Sequence, residues 1–127
     1  MKNLIFITII LVNNLSLAQQ MNLSLSIEEL LDKLKNDKNF ILLDVRTTSE
    51  VNGQLKMIDG AINIPIQELV DRYVELNKFK DKEIIVICRT QNRSSAANEF
   101  LNSKGFKAKF VKGGMIEYYS KINSQAR

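Results

Sequence analysis

The amino-acid sequence predicts an α/β fold in three layers, a central, mostly parallel sheet with helices on both faces. Segments of strand character alternate with segments of helical periodicity along the chain. The strand segments around residues 40–45 and 84–87 are continuous apolar runs without inside–outside alternation, as expected of strands covered on both sides. With 127 residues, 45% hydrophobic and 25% charged, the chain suits one ordinary globular domain able to bury a core without staples.

Residues 1–18 are expected to be a signal peptide rather than part of that domain. Lys2 supplies a positive start, residues 4–12 form an apolar run, and Ser16-Leu17-Ala18 puts small residues at a cleavage site. The run falls well short of the roughly 20 residues a membrane span needs. No cysteine stands near the site to carry a lipid. The alternative is an uncleaved N-terminal anchor, because Leu15 and Leu17 prolong the apolar stretch. On the first reading the mature domain is residues 19–127, periplasmic or secreted, with no membrane association after cleavage.

Residues 19–25 read as a lead-in. Ser26 with Glu29 forms a capping-box signature, and Ile27, Leu30, Leu31 and Leu34 recur at helical spacing to about Lys35. The strand at 40–45 ends in Asp44-Val45-Arg46, and a helical turn is expected over 48–51. A loop over 53–60 leads to a short strand at 61–64, closed by Pro65. Leu69, Val70, Tyr73 and Val74 mark the apolar face of a helix over 67–76. Four consecutive β-branched residues, Ile84 to Ile87, run directly into Cys88. A polar stretch, 89–93, precedes a helix from about Ser94, whose apolar side is Ala97, Phe100 and Leu101 and whose end is marked by Gly105. A strand at 108–111, a Gly113-Gly114 turn and a helix over 115–122 complete the domain.

The net charge of +4 does not point to a polyanionic partner. Lys33, Lys35 and Lys38, and likewise Lys78, Lys80 and Lys82, are interleaved with Asp32, Asp37, Asp81 and Glu83, the pattern of solvated faces. No basic segment carries the aromatic residues that stack bases, so nucleic-acid binding is not expected. The sequence contains no metal-ligand cluster and no nucleotide-binding motif, and no cofactor is expected.

Cys88, the single cysteine, cannot form an internal disulfide. It reads either as a reactive thiol or as the last inward-facing residue of a strand, with Arg89 and Arg93 merely solvated. Its position favours the first. Ligands of open α/β sheets bind beyond the carboxyl ends of strands, where helix N-termini present free N–H groups. Those groups, with Arg89 and Arg93, favour the thiolate, which is the nucleophilic form.

Cys88-Arg89-Thr90-Gln91-Asn92-Arg93-Ser94 resembles the active-site loop of rhodanese-like sulfurtransferases, C-R-x-G-x-R-S. Asp44-Val45-Arg46 followed by Glu50 resembles the family's D-V-R-x-x-x-E segment, and Gly60-Ala61-Ile62-Asn63-Ile64-Pro65 its G-A-I-N-I-P segment. Gly113-Gly114-Met115 is similar to its glycine pair before the last helix, with Tyr118 where tryptophan is common. The resemblance covers nearly all of residues 19–127 in the right order.

It implies that Cys88 takes a sulfur atom from thiosulfate or a persulfide donor and passes it to a thiol-type acceptor, small molecule or protein. The loop from Arg89 to Ser94 would stabilise the persulfide anion. Arg93 would hold the loop and the donor, and Arg89 would steer by charge or be solvated. Asp44, Arg46 and Glu50 would form a supporting ion-pair cluster. Four residues separate Cys88 from Arg93. The related phosphatase and arsenate-reductase branch has five, making room for a tetrahedral oxyanion. That branch and a non-catalytic interaction module are the alternatives. The sequence departs from the family pattern at Gln91, where glycine is common and a less regular loop is therefore expected, in the extra residues of 53–60, and in having no histidine.

Overall fold

The computed structural model describes residues 23–37 and 39–127. The expected signal segment and its cleavage site lie outside the described residues. The elements run β1 (Ser24–Leu25), α1 (Ile27–Asn36), β2 (Phe40–Asp44), α2 (Thr48–Val51), β3 (Ile62–Asn63), α3 (Ile66–Arg72), a 3₁₀ helix (Tyr73–Phe79), β4 (Glu83–Ile87), α4 (Asn92–Ser103), β5 (Lys107–Val111) and α5 (Gly114–Gln125).

The five strands form one sheet in the order β1-β5-β4-β2-β3, with every neighbouring pair parallel. The central strand, β4, lies between β5 and β2, in register with β2 from Phe40↔Glu83 to Asp44↔Ile87. Its side chains divide between two cores. Ile84, Val86 and Cys88 pack with Leu43, Leu69, Leu76, Ala97 and Leu101 under α3, the 3₁₀ helix and α4. Ile85 and Ile87 pack with Leu30, Leu42, Val111 and Met115 under α1 and α5. Both faces being covered, the sequence of β4 shows no polar alternation.

Local chemistry explains several element ends. Ser26 Oγ accepts the Glu29 N–H at 3.1 Å and its hydroxyl donates to the Glu29 carboxylate at 3.3 Å, so only the backbone-directed half of the expected box forms. A complete capping box stands at Thr47 and Glu50 instead. Gly105, with φ +88°, turns the chain out of α4.

Three expectations are corrected. The lead-in contains β1, whose two residues pair with Phe110 and Val111, a strand too short to leave a periodic signal. The face of the helix after Pro65 is rotated. Val70 and Val74 are 65% and 55% exposed, whereas Leu69 and Leu76 are buried. After Arg72 the chain tightens to three residues per turn, which brings Leu76 rather than Val74 under the sheet. Tyr73 remains packed, edge-on to Phe100 and Phe106 with ring centroids at 5.4 and 6.4 Å. Finally, α4 begins at Asn92, two residues before the expected Ser94.

Because all strands are parallel, their carboxyl ends lie along one edge, and Asp44 and Cys88 stand there on adjacent strands. Among the described residues no helix is long and apolar enough to cross a membrane.

The rotated helix face is open to test by urea unfolding. Leu76→Ala is expected to cost about 2–5 kcal/mol as a core truncation. Val70→Thr and Val74→Thr are each expected to stay within about 0.5 kcal/mol of the parent protein.

Candidate active site

Cys88 follows β4 directly and is 1% exposed. Its Sγ lies 3.4 Å from the backbone nitrogen of Ser94, which donates to it, and 3.4 Å from Ser94 Oγ. The reason lies in the helix start. The first bond within α4 runs from Ser95 N–H to Gln91 O at 2.9 Å, leaving the preceding N–H groups without helical acceptors. The Ser94 N–H spends itself on the sulfur. Ser94, fully buried, also donates its hydroxyl to Gln91 O at 3.0 Å. A thiol at Cys88 donates to Ser94 Oγ. A thiolate accepts the Ser94 N–H, and the Ser94 hydroxyl is the second donor within reach.

The loop is held from behind by α5. Met115 N–H donates to Cys88 O at 2.9 Å and Ile116 N–H to Arg89 O at 3.1 Å. Across trans peptides, a carbonyl drawn towards α5 turns the following N–H the other way. The N–H groups of Arg89 and Thr90 are therefore aimed away from α5, towards the sheet face that carries the sulfur. Gly114 permits the docking. Its φ is +58°, and a Cβ there would overlap the carbonyl oxygens of Cys88, Arg89 and Thr90. Arg89, Thr90, Gln91 and Asn92 are exposed. Gln91 has φ −157°, and no non-glycine residue described has positive φ, so the position does not use the left-handed region that would require glycine.

The expected cluster of Asp44, Arg46 and Glu50 divides in two. Asp44 and Arg46 form a buried ion pair, with Arg46 Nη2 2.8 Å from Oδ2 and Nε 3.0 Å from Oδ1. Arg46 Nη1 donates to Leu55 O at 2.7 Å and ties down the long loop before β3. Asn63 Nδ2 bridges the carbonyls of Asp44 and Arg46, both at 2.9 Å. Val45 N–H reaches Ile87 O at 3.0 Å, carrying the pairing to the residue before Cys88.

Glu50 instead reaches across to the loop, accepting from Arg93 Nη1 at 2.6 Å and Nη2 at 2.8 Å. This forked pair, helped by the Thr47 N–H and opposed by partial burial, holds the Glu50 carboxyl at about 2. Arg93 is raised in turn, chiefly by Glu50, and Cys88 adds a smaller coulombic share. Both terminal nitrogens of Arg93 are thus engaged in fixing α4 to α2. Sequence reasoning missed Thr47 and Asn63 as supports. Thr47-x-x-Glu50 is a capping-box pattern, whereas nothing in the sequence marked Asn63 as a bridge.

The model of the rhodanese-like domain family matches residues 26–121. A putative sulfurtransferase of Bacillus subtilis is 34% identical over 94 residues, covering 74% of this chain and 87% of that protein. A probable molybdopterin-synthase adenylyltransferase of Porphyra purpurea is 32% identical over 91 residues, 72% of this chain, and the match spans 23% of its own length. Of solved structures, a rhodanese-related protein from Thermoplasma volcanium superposes with a TM-score of 0.68 at 35% identity, covering 77% of this chain and 91% of that one.

Two outcomes test this geometry. Gly114→Ala is expected to destabilise the protein by about 1–3 kcal/mol, measured by urea unfolding, because α5 and the loop must move apart. The Glu50 carboxyl lies below its ordinary value of 4.5, so the stability it contributes is whole above that pH and lost as pH falls towards about 2. Glu50→Gln should therefore be less stable than the parent at neutral pH, by up to about 1 kcal/mol for a partly exposed pair. The difference should close in acid.

Proposed function

The chain belongs to the rhodanese-like domain family, and from that membership we propose that it is a sulfurtransferase-like protein that carries sulfane sulfur as a Cys88 persulfide. The observation that carries the reading is the Cys88 sulfur at 3.4 Å from the Ser94 N–H, at the start of a helix whose N-terminal dipole favours an anion. The Cys88 thiolate attacks the outer sulfur of thiosulfate, or of a persulfide donor. A bond forms from Sγ to that sulfur, the donor's S–S bond breaks, and sulfite or a thiolate departs with the electron pair. A second nucleophile (a thiol, sulfite or cyanide) then takes the terminal sulfur and the Cys88 thiolate leaves. The loop amides stabilise the persulfide anion between the two steps. No general base is required, which suits a chain without histidine. We place the mature domain outside the cytoplasm, on the signal-like pattern of residues 1–18.

The burial of Cys88, 1% exposed within a core cluster, favours one second reading, an interaction module that keeps the fold without turnover. The four-residue spacing between Cys88 and Arg93 speaks against oxyanion hydrolysis. Mass spectrometry separates the readings. The mature protein incubated with thiosulfate, or with a low-molecular-weight persulfide, is expected to gain the mass of one sulfur atom. Cys88→Ala should gain none. If neither donor adds sulfur to the parent protein, the transfer reading is wrong and the interaction module stands.

A further inference from the structure

Gln91 occupies a point where three parts of the site meet. Its carbonyl accepts the Ser95 N–H at 2.9 Å and the Ser94 hydroxyl at 3.0 Å. Its side-chain Oε1 accepts the N–H of Gly113 at 3.3 Å, across 22 residues of chain. Gly113 is the N-cap of α5, with φ +80° and no side chain to cap the helix, so the Gln91 amide supplies an acceptor that the helix's own residues do not. One residue thus stands at the N-cap of α4 with its backbone and caps α5 with its side chain. Between these two helix starts lie the peptides whose carbonyls bind Met115 and Ile116 and whose N–H groups therefore turn away from α5.

We propose that Gln91 is a positioning residue for the Cys88 thiolate, clasping the loop to α5 so that the loop amides keep their aim. The proposal deepens the sulfur-transfer reading and rests on it for the chemistry that is positioned. With the clasp open, the Thr90–Gln91 peptide loses its tie to α5 and the Ser94 N–H and hydroxyl shift with the Gln91 carbonyl, while the carbonyls of Cys88 and Arg89 stay bound to Met115 and Ile116. Stability depends little on one exposed hydrogen bond, whereas the thiolate depends on the direction of each donor around it.

Gln91→Met tests the idea, because it keeps length and adds no charge. Arg93, Glu50 and the nearby Glu117 are the same in both proteins, so a change in pH profile reports donor geometry. Three quantities are compared: exchange of the Gly113 amide by NMR, the pH–rate profile of Cys88 alkylation by iodoacetamide, and the rate of sulfur uptake from thiosulfate. The variant is expected to exchange Gly113 faster, to alkylate about three- to tenfold more slowly at neutral pH with its profile moved to higher pH, and to keep its thermal midpoint. Gln91→Ala should do the same. Unchanged Gly113 exchange, or faster exchange with an unchanged alkylation profile, overturns the proposal. Failure of the parent protein to take up sulfur, with the alkylation effect present, refutes the transfer reading and leaves the positioning role intact.

Discussion

Two helix N-termini converge on the end of β4, and the loop between them must satisfy both. From one side α5 draws the carbonyls of Cys88 and Arg89 towards itself; from the other, α4 starts so close to Cys88 that its third amide has the sulfur as acceptor. A peptide unit is rigid, so fixing a carbonyl fixes the following N–H. The loop's donors are therefore aimed at the sulfur side by contacts on the opposite side. The glycine pair follows from this constraint. Positive φ at both Gly113 and Gly114, and the lack of room for a Cβ at Gly114, let α5 come close enough to donate.

The ion pairs serve the same end by separate routes. Asp44 and Arg46 are buried and mutually satisfied, and they anchor the long loop before β3 through Leu55. An unpaired charge at that depth would be costly, so the pair holds the end of β2 in one arrangement beside Cys88. Glu50 and Arg93 lie nearer the surface and connect α2 to the first turn of α4. Glu50 is already committed as the third helical residue of its own capping box, so its direction is set before Arg93 arrives. That preorganisation makes a partly exposed pair a usable strut rather than a loose surface contact.

The Cys88 sulfur accepts from the Ser94 N–H with the Ser94 hydroxyl beside it, and among the described residues neither neighbouring guanidinium is hydrogen-bonded to it. Arg89 is solvated and Arg93 is paired. On the proposed transfer reading, the sulfur that Cys88 would carry is large and soft, and the Ser94 N–H at a helix N-terminus suits it better than a point charge. The burial of Cys88 in the core on the α4 side gives the sulfur a low-dielectric surrounding, in which those donors act more strongly than in water.

The order of strands and helices, the two-sided burial of β4 and the address of Cys88 at its carboxyl end were legible in the sequence, because hydrophobic periodicity and β-branched runs report local structure directly. The motifs around Cys88, Asp44 and Gly113 were legible as well. What the sequence could not settle were features set by partners far along the chain. β1 exists because β5 offers it an edge; the face of α3 is decided where tightening into a 3₁₀ turn puts Leu76 under the sheet and leaves Val70 and Val74 in solvent. Glu50 reached Arg93 while keeping its Thr47 cap, and Gln91 found Gly113, through contacts spanning 43 and 22 residues. Periodicity carries no information about such pairings. They are chosen when the parallel sheet brings all its carboxyl ends to one edge and each polar group there must find a partner.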